Sequence, residues 1–290
     1  MMEQKFCFPQ HPHKHKYRVP IVRDVMKKII LASLLALSSA VAIADTAAKK
    51  TDTTFAQVEK SLAAKDYKAA YTELERLSKA GNAQATYGLA SLTASGQGTT
   101  KDEKKALKLF EESANKNFPL AQYALGHTYL AGQFGVKKDV AKGKSYLDKA
   151  SKQGFEMATL DLAGLLFSEN TTTSNQQAVK YLKPLIDRKN PHAIYLNTLY
   201  DIDQAAKAKD KNKAEQALKS LQGLATQGYA PALASIGSMF ISGNILEQNL
   251  DEAKKIFTEL DKINYPTAKA ALNAISQQQA QQKTDTKKKG

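Results

Sequence analysis

The chain has 290 residues, with 42 Lys+Arg against 28 Asp+Glu, one cysteine, five histidines and no tryptophan. A single thiol excludes an internal disulfide framework and any zinc site built mainly from cysteines. A 42% apolar and 24% charged composition excludes wholesale disorder, and 15 glycines with 8 prolines argue against a turn-dense β-sandwich.

Residues 26–44 read MKKIILASLLALSSAVAIA. Lys27 and Lys28 form a positive n-region, Ile29 to Leu37 an apolar h-region, and Ala42-Ile43-Ala44 a small-residue cleavage site. This is the layout of a secretory signal peptide, with cutting expected between Ala44 and Asp45. The apolar stretch is broken by Ser33, Ser38 and Ser39 and falls short of the ~20 residues of a membrane span. No cysteine follows it, so the mature end is not lipidated as a bacterial lipoprotein is. The expected product is free in the periplasm of a Gram-negative envelope, or secreted. Residues 1–25 carry His11, His13 and His15 and are read as an over-extended start, with a long n-region as the alternative. Removing residues 1–44 leaves 35 basic against 26 acidic residues, two histidines and no cysteine.

After a linker at 45–53, one pattern recurs. An alanine anchor stands at Ala85, Ala121, Ala158, Ala193, Ala232 and Ala268. Fifteen residues before each anchor is a small residue: Ala70, Ala106, Gly143, Ala178, Ala217 and Ala253. Eleven before is a large apolar one: Leu74, Phe110, Leu147, Leu182, Leu221 and Phe257. Nineteen before stand Asp66, Asp102, Asp139, Ser174, Lys213 and Asn249, five of which are strong helix N-caps. Four before stand Gly81, Asn117, Gly154, Lys189, Gly228 and Asn264, five of which readily end a helix in left-handed backbone angles. The spacing predicts a helix from cap to Gly/Asn and, at once, a second helix bearing the anchor. Pro119, Pro191, Pro231 and Pro266 fall in the first turn of that second helix, where a missing N–H costs nothing. Its packed face continues at +4 and +8, with small residues at +5 for close helix approach. All length variation falls in the connection after the anchor helix.

The stretch from Ala121 through Leu125-Gly126, Tyr129, Gly132, Gly135-Val136 to Asp139 resembles the Sel1-like repeat, a relative of the tetratricopeptide repeat. Gly96-Gln97-Gly98 with Asp102 repeats its loop in the preceding unit. The resemblance implies an all-α fold: a right-handed α-solenoid of about five Sel1-like, tetratricopeptide-like helix-turn-helix repeats over 54–276, with capping helices. The third unit replaces the loop glycines with Asn170 to Asn175, and the fourth has no glycine there. From Gln277 the Gln- and Lys-rich tail, 277–290, is expected to be disordered.

No catalytic constellation emerges. Ser113-Ala-Asn-Lys116 has the S-x-x-K spacing of penicillin-recognising enzymes, but no S-D-N or K-T-G follows. The G-x-G loops lack a P-loop's lysine and preceding strand. No cofactor or metal is expected. Candidate partner-facing residues are Tyr87, Tyr123 and Tyr195, recurring at +2, with His127 at +6. The tyrosines read either as inter-repeat packing, which the family pattern favours, or as a row gripping a peptide or glycan. Lys207, Lys209, Lys211 and Lys213, read as the longest loop, are either a solvated segment or a contact for acidic partners, lipopolysaccharide, peptidoglycan or another anionic surface. Export argues against nucleic acid. The resemblance implies a non-catalytic adaptor binding proteins in the envelope. The alternatives are a cell-wall-active or β-lactam-hydrolysing enzyme of the cysteine-rich Sel1-like type, whose cysteine pairs this chain lacks, or a secreted host-interaction factor.

Overall fold

A computed structural model describes residues 53–289. The signal segment, its cleavage site at Ala44–Asp45 and nearly all of the linker lie outside the described residues. Every regular element among these residues is helical: 13 α-helices after a short 3-10 turn at Thr53–Phe55. They fall into two compact units that meet between Lys183 and Pro184. The first unit holds α1 (Ala56–Ala63), α2 (Tyr67–Lys79), α3 (Ala83–Ser95), α4 (Glu103–Asn115), α5 (Pro119–Ala131), α6 (Val140–Lys152) and α7 (Glu156–Ser168). The junction lies within α8 (Thr172–Asp187), where Pro184 supplies no N–H to the helix. The second unit continues with α9 (Pro191–Ala208), α10 (Lys211–Thr226), α11 (Ala230–Ser242), α12 (Leu250–Lys262) and α13 (Ala268–Lys289). The fold is an all-α solenoid of helix pairs.

The repeat register explains the packing. All six anchor alanines have 0% exposure, and the large apolar residues eleven positions earlier are buried beside them. The small positions bring backbones together. A Cβ on Gly126 of α5 would lie 2.8 Å from Leu147 Cδ2, and one on Gly143 of α6 would lie 2.9 Å from the Gly126 carbonyl oxygen. The six residues four before each anchor all take positive φ, including Lys189 at 58°, where a side chain pays the left-handed cost of roughly 1–2 kcal/mol. Pro119, Pro191 and Pro231 stand in first turns as expected, whereas Pro266 lies in the turn before α13.

Four predicted caps form. Asp66, Asp102, Asp139 and Asn249 accept the backbone N–H of Ala69, Lys105, Lys142 and Glu252 at 2.8–3.0 Å. Each removes one orphan donor at a helix start. The other two caps are displaced. In α8, Thr171 and Ser174 bond each other's backbone N–H, so the helix starts three residues earlier than expected. In α10, Asp210 accepts the Lys213 N–H, so Lys213 lies inside the helix it was expected to precede. A shift of three residues is nearly one turn of 3.6, which keeps the apolar face in place. Both helices accordingly have 16 residues where α2, α4, α6 and α12 have 13. Where the loop glycines are missing, helix replaces loop.

The C-terminal tail also differs from expectation. Instead of disorder from Gln277, α13 runs to Lys289. Gln, Ala and Lys are strong helix formers, and no glycine or proline interrupts them before Gly290. Gln279 donates to Asp251 at 2.8 Å and Gln282 to Gln248 at 3.4 Å, tying the tail to the α12 region.

Candidate interaction surfaces

The tyrosines at +2 pack between repeats, each against an aromatic three residues before the next anchor. Tyr87 lies 5.6 Å from Phe118 and 5.5 Å from Phe110. Tyr123 lies 5.1 Å from Phe155, and Tyr195 lies 5.5 Å from Tyr229, edge to face. Such tilted pairs contribute about 0.5–1.5 kcal/mol beyond their buried area. The recurring aromatic at Phe118, Phe155, Tyr229 and Tyr265 was the signal for this ladder, and the sequence reading passed over it.

Two of the three hydroxyls, those of Tyr123 and Tyr195, find polar partners on a neighbouring anchor helix. Tyr123 donates to Asp161 at 2.8 Å, and His127 Nε2 meets the same carboxylate oxygen at 2.9 Å. The His127 and Asp161 side chains are 40% and 35% exposed, so this cluster joins α5 to α7 at the surface. Burial first, and then the Asp161 carboxylate, push the Tyr123 phenol far above its ordinary range. Tyr195 is hydrogen-bonded to Ser235 at 2.8 Å, and burial raises its phenol too. His192 flanks that second cluster, 6.4 Å from both Tyr195 and Tyr229. Asp161 and Ser235 occupy the same register, three residues after their anchors, and neither drew notice in the sequence.

The lysine run is not a loop. Lys207 ends α9 and pairs with Asp203 at 2.6 Å. Lys209 caps α9 at φ 55°, and Lys211 and Lys213 lie in the first turn of α10. Only Lys209 and Asp210 separate the helices, because the extra residues went into α9, which has 18. Three cations near a helix start oppose its dipole, and Asp210 partly offsets them.

Ser113 and Lys116 form no pair. Ser113 has 0% exposure and donates to the Ala83 carbonyl at 2.7 Å, tying α4 to the start of α3. Lys116 instead binds Glu112 at 2.8 Å. Among the described residues no group of three or more His, Cys, Asp or Glu is placed to hold a metal ion. No described helix is long and apolar enough to cross a membrane. A shallow, open groove of about 710 Å³ lies between the α3–α4 and α5–α6 loops.

Residues 83–118 and 119–155 match the family model for the Sel1 repeat, each span covering one anchor helix and the helix that follows it. These residues are Sel1 repeats, as their sequence resemblance implied. A Sel1 repeat protein from Oxalobacter formigenes is similar in structure, with a TM-score of 0.62 and 20% identity over 77% of this chain and 87% of that one. So is c5321, a protective antigen of uropathogenic Escherichia coli with an SLR fold, at a TM-score of 0.56 and 21% identity over 73% of this chain and 45% of that one. The chitin synthase regulator SKT5 of Saccharomyces cerevisiae is 28% identical over 93 residues, 31% of this chain. The match spans only 13% of that regulator's length.

Proposed function

We propose that this Sel1-repeat chain is a non-catalytic protein–protein interaction scaffold, exported through a cleaved signal peptide and acting in the bacterial envelope. One observation carries the reading. The half-exposed polar and aromatic groups form a strip on successive anchor helices and do not converge in a cavity. Tyr123, His127 and Asp161 make that strip in the first unit. His192, Tyr195 and Ser235 make its counterpart in the second. Strips repeated along a helical array suit an extended partner surface, since each repeat adds one rung. The name of the yeast relative, a regulator, agrees with a binding role. Export rests on the tripartite pattern of residues 26–44.

Affinity capture from an envelope extract tests the scaffold. Wild type should retain specific proteins that Tyr123→Ala with His127→Ala releases while helicity is unchanged. Reproducible β-lactam turnover by the wild-type chain, lost on Ser113→Ala, would overturn it. N-terminal sequencing of the exported protein should read from Asp45, and a start before that residue would contradict the compartment.

A further inference from the structure

Three successive repeats of the first unit place a lysine immediately before the capping aspartate: Lys65-Asp66, Lys101-Asp102 and Lys138-Asp139. Each carboxylate is engaged by a backbone N–H of its own helix start, and all three lysines are exposed, Lys101 being paired with Glu103. Before the caps of the later helices stand Asn170 and Gln248, which are uncharged, and Lys209, which repeats the pair as Lys209-Asp210 before α10. Only in the first unit does the pair recur in three successive repeats.

The 710 Å³ groove includes the middle pair of this row, Lys101-Asp102, and its second wall ends at Val136, next in sequence to Lys137 and Lys138. Thr99 to Lys105 form one wall and Phe134 to Val136 the other, with half-buried Leu107, Phe134 and Val136 as an apolar floor. The local charge is not balanced. Lys101 pairs with Glu103 at 2.7 Å, and Lys105 donates to the Tyr71 hydroxyl at 3.0 Å. Lys104, Lys137 and Lys138 are exposed and have no ion-pair partner among the described residues.

Charge decides what can cover this surface. After cleavage at Ala44, residues 45–52 carry two lysines against two aspartates and the last six residues three lysines against one aspartate, so neither end supplies an acidic segment. A second mature copy, with 35 basic against 26 acidic residues, brings a formal charge of +9 and is repelled. We infer that the groove docks an extended, acidic segment of a partner protein, whose carboxylates meet Lys104, Lys137 and Lys138 while its apolar side chains rest on Leu107, Phe134 and Val136. This inference rests on the scaffold reading and locates one contact of it at the loop edge, away from the tyrosine strip.

The test uses the purified chain and a fluorescein-labelled peptide in which Glu-Leu-Asp-Phe is repeated three times, followed by fluorescence anisotropy. The peptide should bind, weaken as salt screens the charges, and keep part of its affinity at high salt through the apolar floor. Lys104→Glu, Lys137→Glu and Lys138→Glu together should weaken it at least tenfold with unchanged circular dichroism, because none of the three loses an ion pair. Val136→Ser should weaken it severalfold, and Lys180→Glu, far from the row in sequence, less than twofold. Equal binding by the triple variant overturns the inference. So does equally tight binding of poly-glutamate, of single-stranded DNA or of phosphatidylglycerol vesicles, since any of these would mark a general polyanion surface. If the peptide fails while the tyrosine-strip variant still releases captured proteins, the groove is refuted and the scaffold stands. If captured proteins are released by neither change, both readings fall.

Discussion

Replacing Gly143 with alanine sets two known effects against each other. Alanine in a helix interior gains about 1 kcal/mol of propensity over glycine. The new Cβ, however, would stand 2.7 Å from Leu130 Cγ and 2.9 Å from the Gly126 carbonyl oxygen. Ordinary carbon contacts need about 3.5–4.0 Å, so α5 and α6 must part by roughly 1 Å. A carbonyl cannot rotate away as a side chain can, and such a gap forfeits a quarter to a half of the dispersion well for atoms along the seam. Overpacking of this kind costs about 1–3 kcal/mol, and its upper half applies when backbone is struck. The net expectation is a loss of about 1–2 kcal/mol. Gly223 in α10 supplies the control, because a Cβ there would meet nothing within 4 Å. Gly223→Ala should stabilise by roughly 0.5–1 kcal/mol. Urea unfolding by far-UV circular dichroism gives the overall shift. Hydrogen exchange at α5–α6 and at α10 reads each helix separately, since repeat arrays need not unfold as one. A stabilised Gly143→Ala, or equal shifts for both variants, would refute close backbone approach as the reason for glycine.

Asp210→Ala should cost about 1 kcal/mol and open the first turn of α10 to exchange, while Lys213→Ala stays within about 0.5 kcal/mol; the reverse order would restore the cap to Lys213. Asp161→Asn should lower the Tyr123 phenol pKa, because a neutral amide no longer opposes the phenolate. It should remain above its ordinary value, since burial is the larger cause; ultraviolet titration reads both, and an unmoved pKa would sever the link to Asp161. Burial pushes the Tyr181 and Tyr229 phenols up to about 12 from an ordinary 10.0, helped by Asp148 at Tyr181 and by Tyr195 and Tyr265 at Tyr229. With folded pKa above unfolded, their contribution is complete below pH 10.0 and is lost as pH rises through about 12. Urea midpoints should therefore decline over that window, and a flat profile would contradict the assignment.

Features that every repeat must share were legible, because each answers a physical demand that recurs. An anchor at a helix crossing must be small, and all six are alanines with 0% exposure. A chain reversing between two helices needs a left-handed residue, and the position held even where Lys189 supplies it. The failures came where one demand had two solutions. A missing glycine loop can be read as a different loop or as added helix, and the fourth unit chose helix: Lys207 to Lys213 became the end of α9, a two-residue turn and the start of α10. The spacing alone could not choose, since one extra turn leaves the apolar register unchanged. The tail was misjudged for a related reason, as Gln- and Lys-rich composition serves both a solvated helix and a disordered end.

The surface was less legible than the core because the repeat does not constrain it. Three residues after the anchor the chain carries Gly88, Ala124, Asp161, Leu196 and Ser235 in turn. Packing holds Gly88 against Leu74 and buries Leu196, but it sets no common residue type at this position, so no periodicity announces Asp161 or Ser235. Yet this position decides what the +2 tyrosine meets: a carboxylate shared with His127 at Tyr123, and a hydroxyl at Tyr195. The same holds at the loop edge, where a lysine precedes the cap in the first three repeats and at Lys209-Asp210, but not before Thr171 or Asn249. Recognition in a repeat array must lie in such departures, because positions that are the same in every unit are already committed to holding the units together.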